Sequence, residues 1–175
     1  MNYIKTVFSF MIFFIFISCG NESKNQSNSK TDIKEMIKKD LSGKNKNDNA
    51  SACDFLSESY LTQKFTGATD FQPKSSEKPY PRCRYTFTVN GETYYVGLTL
   101  LKGNGSEAML DSGTKPFPKK ELLSGVGGKA YYIKTMNQVS AWEGNHLIHV
   151  NFSDPTPAKN KDIAIEIAKD ILKLL

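Results

Sequence analysis

The dipeptide Asn90-Gly91 restricts the fold of this chain more than any other feature. It stands between two runs, residues 82–89 and 92–101, in which apolar and polar side chains alternate. Asn-Gly favours a two-residue hairpin turn because both central positions need positive φ, and alternation on either side marks half-buried strands. Pairing about this turn sets Phe87 opposite Tyr94, Tyr85 opposite Val96 and Cys83 opposite Leu98. These six share one face, while Arg84, Thr86, Thr88, Tyr95 and Thr99 share the other. A slip of one residue would exchange the faces, so turn and pattern demand the same register.

A second hairpin follows the same logic. Residues 138–142 and 146–152 flank Gly144-Asn145, which pairs Ala141 with Ile148 and Val139 with Val150 on one face. Trp142 with Leu147, and Ser140 with His149, take the other. Residues 129–134 form a strand before it, entered through a tight turn at Gly125-Val126-Gly127-Gly128. Ser57 is a good N-cap for a short helix with Leu61 and Phe65 on one side and Gly67 as its stop. Gly103-Asn104-Gly105 leads into another short helix capped by Ser106. This Gly-x-Gly lacks the lysine and the further glycine that a phosphate-binding loop needs. Residues 69–81, rich in Pro, Lys and Ser, read as a loop.

The chain closes on residues 161–175, where Ala164, Ile167, Ala168, Ile171 and Leu175 form an apolar stripe opposite Asp162, Glu166, Lys169 and Lys173. That is an amphipathic helix, with Asn160 as the expected cap. Together the elements predict an α+β fold. One antiparallel sheet is built from hairpins, with a short N-terminal helix and the C-terminal helix packed on one face.

The N-terminus carries a different signal. Lys5 is followed by an apolar run from Val7 to Ile17, then Ser18 and Cys19, after which the chain turns abruptly polar. A cation, about ten apolar residues and a small residue before the cut make an export signal. The run is too short to span a hydrocarbon core, which takes about 20 residues. Phe16-Ile17-Ser18-Cys19 resembles the lipobox of bacterial lipoproteins. The resemblance implies cleavage of residues 1–18 and lipid attachment at Cys19, with export to the cell envelope and the membrane as a partner through that lipid. Gly20 rather than an acidic residue after Cys19 leans towards outer-membrane sorting. Residues 19–50 then read as lipidated N-terminus and tether. Asn, Lys and Ser make up 17 of the 31 residues 20–50, too few apolar groups to order a chain. Ile33, Ile37 and Leu41 mark one short helix within it, marginal alone in water.

The globular part is therefore residues 51–175, one α+β domain. It holds 15 basic and 13 acidic residues, so most of the basic excess of the whole chain lies outside it. With its basic pairs isolated and an exported address, nucleic acid is set aside as a partner. Of three cysteines, Cys53 and Cys83 remain after Cys19. Outside the cytoplasm such a pair is normally a disulfide. A metal pair or free thiols are the alternatives, though neither cysteine has a further ligand at local spacing.

Chemistry is sparse. His146 and His149, three apart on a strand, point to opposite faces and do not chelate one ion from that element. There is no Gly-x-Ser-x-Gly elbow and no carboxylate pair set by periodicity. No catalytic, cofactor-binding or metal-ligating residue is named, and the chain reads as a non-enzyme. If both helices cover the inner face, Arg84, Tyr95, Trp142 and Leu147 lie on the other, where aromatics beside arginine are typical binding anchors. The alternative is that a loop or further helix covers them.

Cys53-Asp54-Phe55-Leu56-Ser57, a short helix and then Cys83-Arg84-Tyr85 resemble small secreted bacterial lipoproteins of unknown function that open on Cys-Asp-Leu-Leu-Thr. Residues 125–131, the turn at Gly144 and the final helix are similar to their later half. Phe55 replaces their usual leucine, and Gly128-Lys129 stands where an acidic pair is common. The resemblance implies the same α+β architecture and carries over no catalytic residue.

Three functions fit. The leading one is an envelope binding or interaction module, its partner an envelope protein or small molecule. The second is an inhibitor or immunity lipoprotein against a toxin or wall hydrolase, using a protruding loop at residues 69–81 or 114–120. The third is a hydrolase with a dispersed site.

Overall fold

The computed structural model describes residues 50–175. The signal, Cys19 and the tether with its short helix lie outside the described residues.

Two short helices open the domain, α1 (Ala52–Phe55) and α2 (Glu58–Lys64). Ser57 caps α2 by accepting the Tyr60 N–H at 3.2 Å, as expected of an N-cap hydroxyl. The strands are β1 (Ala68–Ser76), β2 (Arg82–Val89), β3 (Glu92–Leu101), β4 (Glu121–Leu123), β5 (Lys129–Ile133), β6 (Gln138–Glu143) and β7 (His146–Ser153). Helix α3 (Glu107–Thr114) lies between β3 and β4, and α4 (Asn160–Leu172) ends the fold. All seven strands join one antiparallel sheet in the order β1-β2-β3-β7-β6-β5-β4. The α+β architecture is the expected one.

Both hairpin registers are the predicted ones. Phe87 faces Tyr94, Tyr85 faces Val96 and Cys83 faces Leu98. Ala141 faces Ile148, Val139 faces Val150, Trp142 faces Leu147 and Ser140 faces His149. Asn90 and Gly91 both have positive φ, 52° and 82°, as the turn type requires. The inner face of the sheet, α1, α2 and α4 enclose the main core, in which Leu61, Val96, Ile148, Phe152, Ile167 and Ile171 are fully buried. Phe65 stacks on Phe152 at 5.4 Å, parallel to within 1°, and meets Phe87 at 5.0 Å. Cys53 and Cys83 form the disulfide that ties α1 to β2.

Two expectations are corrected. Residues 69–81 are not a loop: most of them form β1, the edge of the sheet. The segment is polar because one side and one edge meet solvent. Pro73 is tolerated there because an edge strand leaves alternate N–H groups without a ladder partner. A bulge between Thr69 and Gln72, with Asp70 at φ 56°, turns Phe71 onto Phe87. Residues 114–120, the other segment expected to protrude, are exposed at Lys115, Pro116, Pro118 and Lys119. They are the end of α3 and a turn closed by Phe117 N–H to Thr114 O, Lys120 N–H to Phe117 O and Lys120 Nζ to Thr114 O. Finally, Asn160 does not cap α4. It is buried, its Oδ1 accepts the Asp154 N–H at 2.9 Å, and a 3₁₀ turn at Pro157–Lys159 leads into the helix instead.

Candidate functional site: the outer face of the sheet

The outer face divides into two halves. On the β4 side, Leu101, Leu147 and Leu110 of α3 make a second small core, with Tyr131 and Trp142 packed against it. Leu101 and Leu147 are direct partners across β3 and β7, which creates an apolar patch that one helix covers. Helix α3 is clamped there by Lys129, whose Nζ lies 2.8 Å from both Glu107 and Asp111. The Lys129 ammonium holds the Asp111 carboxyl below the usual range, and Tyr131 adds a hydroxyl bond to it at 3.2 Å. Lys120 sits over the Tyr131 ring at 4.6 Å. Gly105 passes so close to β7 that its N–H reaches Asn145 O at 2.7 Å. A Cβ on Gly105 would come within 2.3 Å of the Leu147 nitrogen.

The β1 side of the outer face is left open. Arg82 and Arg84 project from β2 and are exposed, and Lys74 on β1 stands directly opposite Arg84. Arg84 is in turn opposite Gly97, and Arg82 opposite Thr99. Gly97 has no side chain to fill the space above the sheet. A Cβ there would meet Tyr95 Oη at 3.0 Å and Arg84 Cγ at 3.4 Å, so the end of the Tyr95 ring and the Arg84 stem pack against the Gly97 backbone. The result is a shallow groove of about 110 Å³ lined by Arg82, Arg84, Tyr95, Gly97, Thr99 and Asn151.

Between the halves runs a polar ladder. Asn151 Nδ2 donates to Gln138 Oε1 at 3.2 Å and to Met136 O at 3.0 Å. Gln138 Nε2 lies 2.7 Å from Ser140 Oγ, which is 2.9 Å from His149 Nδ1. Burial, and secondarily the charge of Arg82, lowers the His149 pKa to about 4, so the ring is neutral at neutral pH. Such a satisfied network fixes side-chain positions beside the groove.

The four expected face residues are thus placed in two groups. Arg84 and Tyr95 line the open groove. Leu147 is 3% exposed and Trp142 is partly buried under α3, so the covering helix weighed as an alternative exists over that half. Arg82, Gly97, Asn151 and Lys74 join the site without having been singled out. Arg82 was within reach of the sequence, since it lies two residues before Arg84 on the same face. Asn151 required the β3–β7 pairing, which no turn announces. Among the described residues no group of three or more His, Cys, Asp or Glu is arranged to hold a metal ion. No protein-family model, curated protein or solved structure matches the chain.

Proposed function

We propose that the chain is a cell-envelope lipoprotein, lipidated at Cys19, whose domain is a non-catalytic binding module working through the open half of the outer sheet face. The observation that carries this reading is uneven coverage. Helices α1, α2 and α4 pack on the inner face, and α3 covers the apolar half of the outer one. The half that remains holds Arg82, Arg84 and Tyr95 around a groove that Gly97 also lines. The hydrogen-bond ladder holds Asn151 in place at the edge of the groove, which lowers the ordering cost of binding there. The export signal and the Asn/Lys/Ser tether support display of such a face at a membrane.

The test is photo-crosslinking of the full chain in the cells that make it. A photo-reactive amino acid in place of Thr86, exposed on the outer face, should give a discrete adduct. The same residue in place of Lys169 on α4 should not. Equal adducts at both positions, or none at position 86, would overturn the assignment.

A further inference from the structure

We infer that the ligand of this face is an acidic polypeptide segment, held extended over β2 and β3 with carboxylates two residues apart on Arg82 and Arg84. This rests on the proposed role of the open half-face and names the chemistry of its partner.

Charge is the first ground. The outward strand positions of this half are Gln72, Lys74 and Ser76 on β1, then Arg82, Arg84, Thr86 and Thr88 on β2. On β3 they are Thr93, Tyr95, Gly97 and Thr99, and on β7 His149, Asn151 and Ser153. None of these is a carboxylate; the acid at this edge is Asp70 in the β1 bulge, whose carboxylate accepts the Thr69 hydroxyl at 2.9 Å. Among the described residues Lys74, Arg82 and Arg84 take part in no ion pair, whereas Lys64, Lys129 and Lys161 are all paired with acids. Lys74 and Arg84 are also direct cross-strand partners, an arrangement of like charges that weakens a sheet. A ligand that brings negative charge relieves it.

Spacing is the second ground. Residues i and i+2 of a strand lie about 6.6 Å apart on one face, and this is the separation of the Arg82 and Arg84 backbones. An extended peptide with acidic side chains at alternate positions repeats at the same interval. Each guanidinium offers a planar fork that matches a carboxylate with two parallel hydrogen bonds.

The third ground separates a peptide from an acceptor-only polyanion such as polyphosphate. Asn151 donates its amide hydrogens to Met136 O and Gln138 Oε1, which leaves its Oδ1 as an acceptor at the groove. Tyr95 and Thr99 add hydroxyls that donate and accept. A peptide backbone presents both N–H and C=O to such a lining, while a phosphate chain presents no donor for Asn151.

Binding is read by fluorescence anisotropy with the detergent-solubilised full chain. The probes are a labelled peptide of four Glu-Thr repeats, a peptide of the same composition with its glutamates in blocks of two, and inorganic polyphosphate. The alternating peptide should bind tightest, and its affinity should fall as salt rises. Arg82→Gln and Arg84→Gln should each lower it by about tenfold or more, while Lys119→Gln, on an exposed turn away from the groove, leaves it unchanged. Equal binding of the blocked peptide, tighter binding of polyphosphate, or indifference to both arginine substitutions would overturn the inference. A crosslink at position 86 without peptide binding removes the acidic ligand but keeps the face; loss of both removes the face as well.

Discussion

Lys74 and Arg84 stand directly opposite each other on adjacent strands, both cationic and both without an acidic partner among the described residues. Like charges in that position cost a sheet a few tenths of a kcal/mol up to about 1 kcal/mol. Lys74→Glu should therefore raise the stability to urea by about 0.5 kcal/mol and at the same time weaken binding of the alternating Glu-Thr peptide. Parallel unfolding curves and anisotropy titrations check both. A substitution that raised stability and affinity together would contradict the account of this pair.

The Cys53–Cys83 bond closes a separation of 30 residues. On the chain-entropy account, a loop of this length is worth about 3–4 kcal/mol. A Cys53→Ala, Cys83→Ala double variant should lose about that much in urea unfolding. The registers of β2 and β3 should survive in amide exchange under native conditions, because the Asn90-Gly91 turn sets them independently.

His149 gives the fold a pH dependence with a definite sign. Burial, then Arg82, depresses its folded-state pKa to about 4, below the roughly 6.5 of an unfolded chain. Between those values the unfolded chain binds the extra proton. Its contribution is thus complete above about pH 6.5 and drains away as pH falls towards 4. His149→Gln should flatten the slope of stability against pH over that window, measured by denaturant midpoints at several pH values. Arg82→Gln should raise the His149 pKa in an NMR titration.

Gly105 is the tightest contact between the α3 loop and the sheet. A Cβ there would collide with Leu147 N, His146 C and Leu147 Cβ at 2.3–2.8 Å, two of them backbone atoms that do not yield. Gly105→Ala should cost about 2–3 kcal/mol and raise exchange of the α3 amides. The apolar patch beneath is tested separately by Leu147→Ala, which should cost about 2–5 kcal/mol, and by Trp142→Ala, expected to destabilise rather than only to weaken binding.

Much of this fold was legible because turns and alternation spoke together. Asn90-Gly91 and Gly144-Asn145 each named a register, and the flanking residues independently named the same one. β1 escaped for the opposite reason. An edge strand with one solvated side has little apolar pattern, and its proline and bulge resemble the punctuation of a loop. The split of the outer face was equally hidden. Leu101 and Leu147 belong to different hairpins, and only the β3–β7 join makes them neighbours that α3 then covers. Arg84 and Tyr95 were found because alternation alone places them, whereas Lys74 and Asn151 depend on pairings with strands far away in the chain. Asn160 was misassigned because capping residues serve any nearby orphan N–H, and here Asp154 offered one.

Lys64 joins Glu166 and Asp170 of α4 at 2.9 and 3.1 Å, and the Tyr60 hydroxyl donates to the same Asp170. Helices α2 and α4 are thereby fastened side by side on the inner face, where Ala50 also packs against the core. The chain thus enters the domain on the helical side, opposite the arginines. Any pull exerted through the upstream residues acts on that side, like a cord tied to the back of a shield. Under the proposed lipid attachment at Cys19, the groove faces away from the side on which the chain enters, and a partner approaching the arginines need not pass between the domain and the membrane.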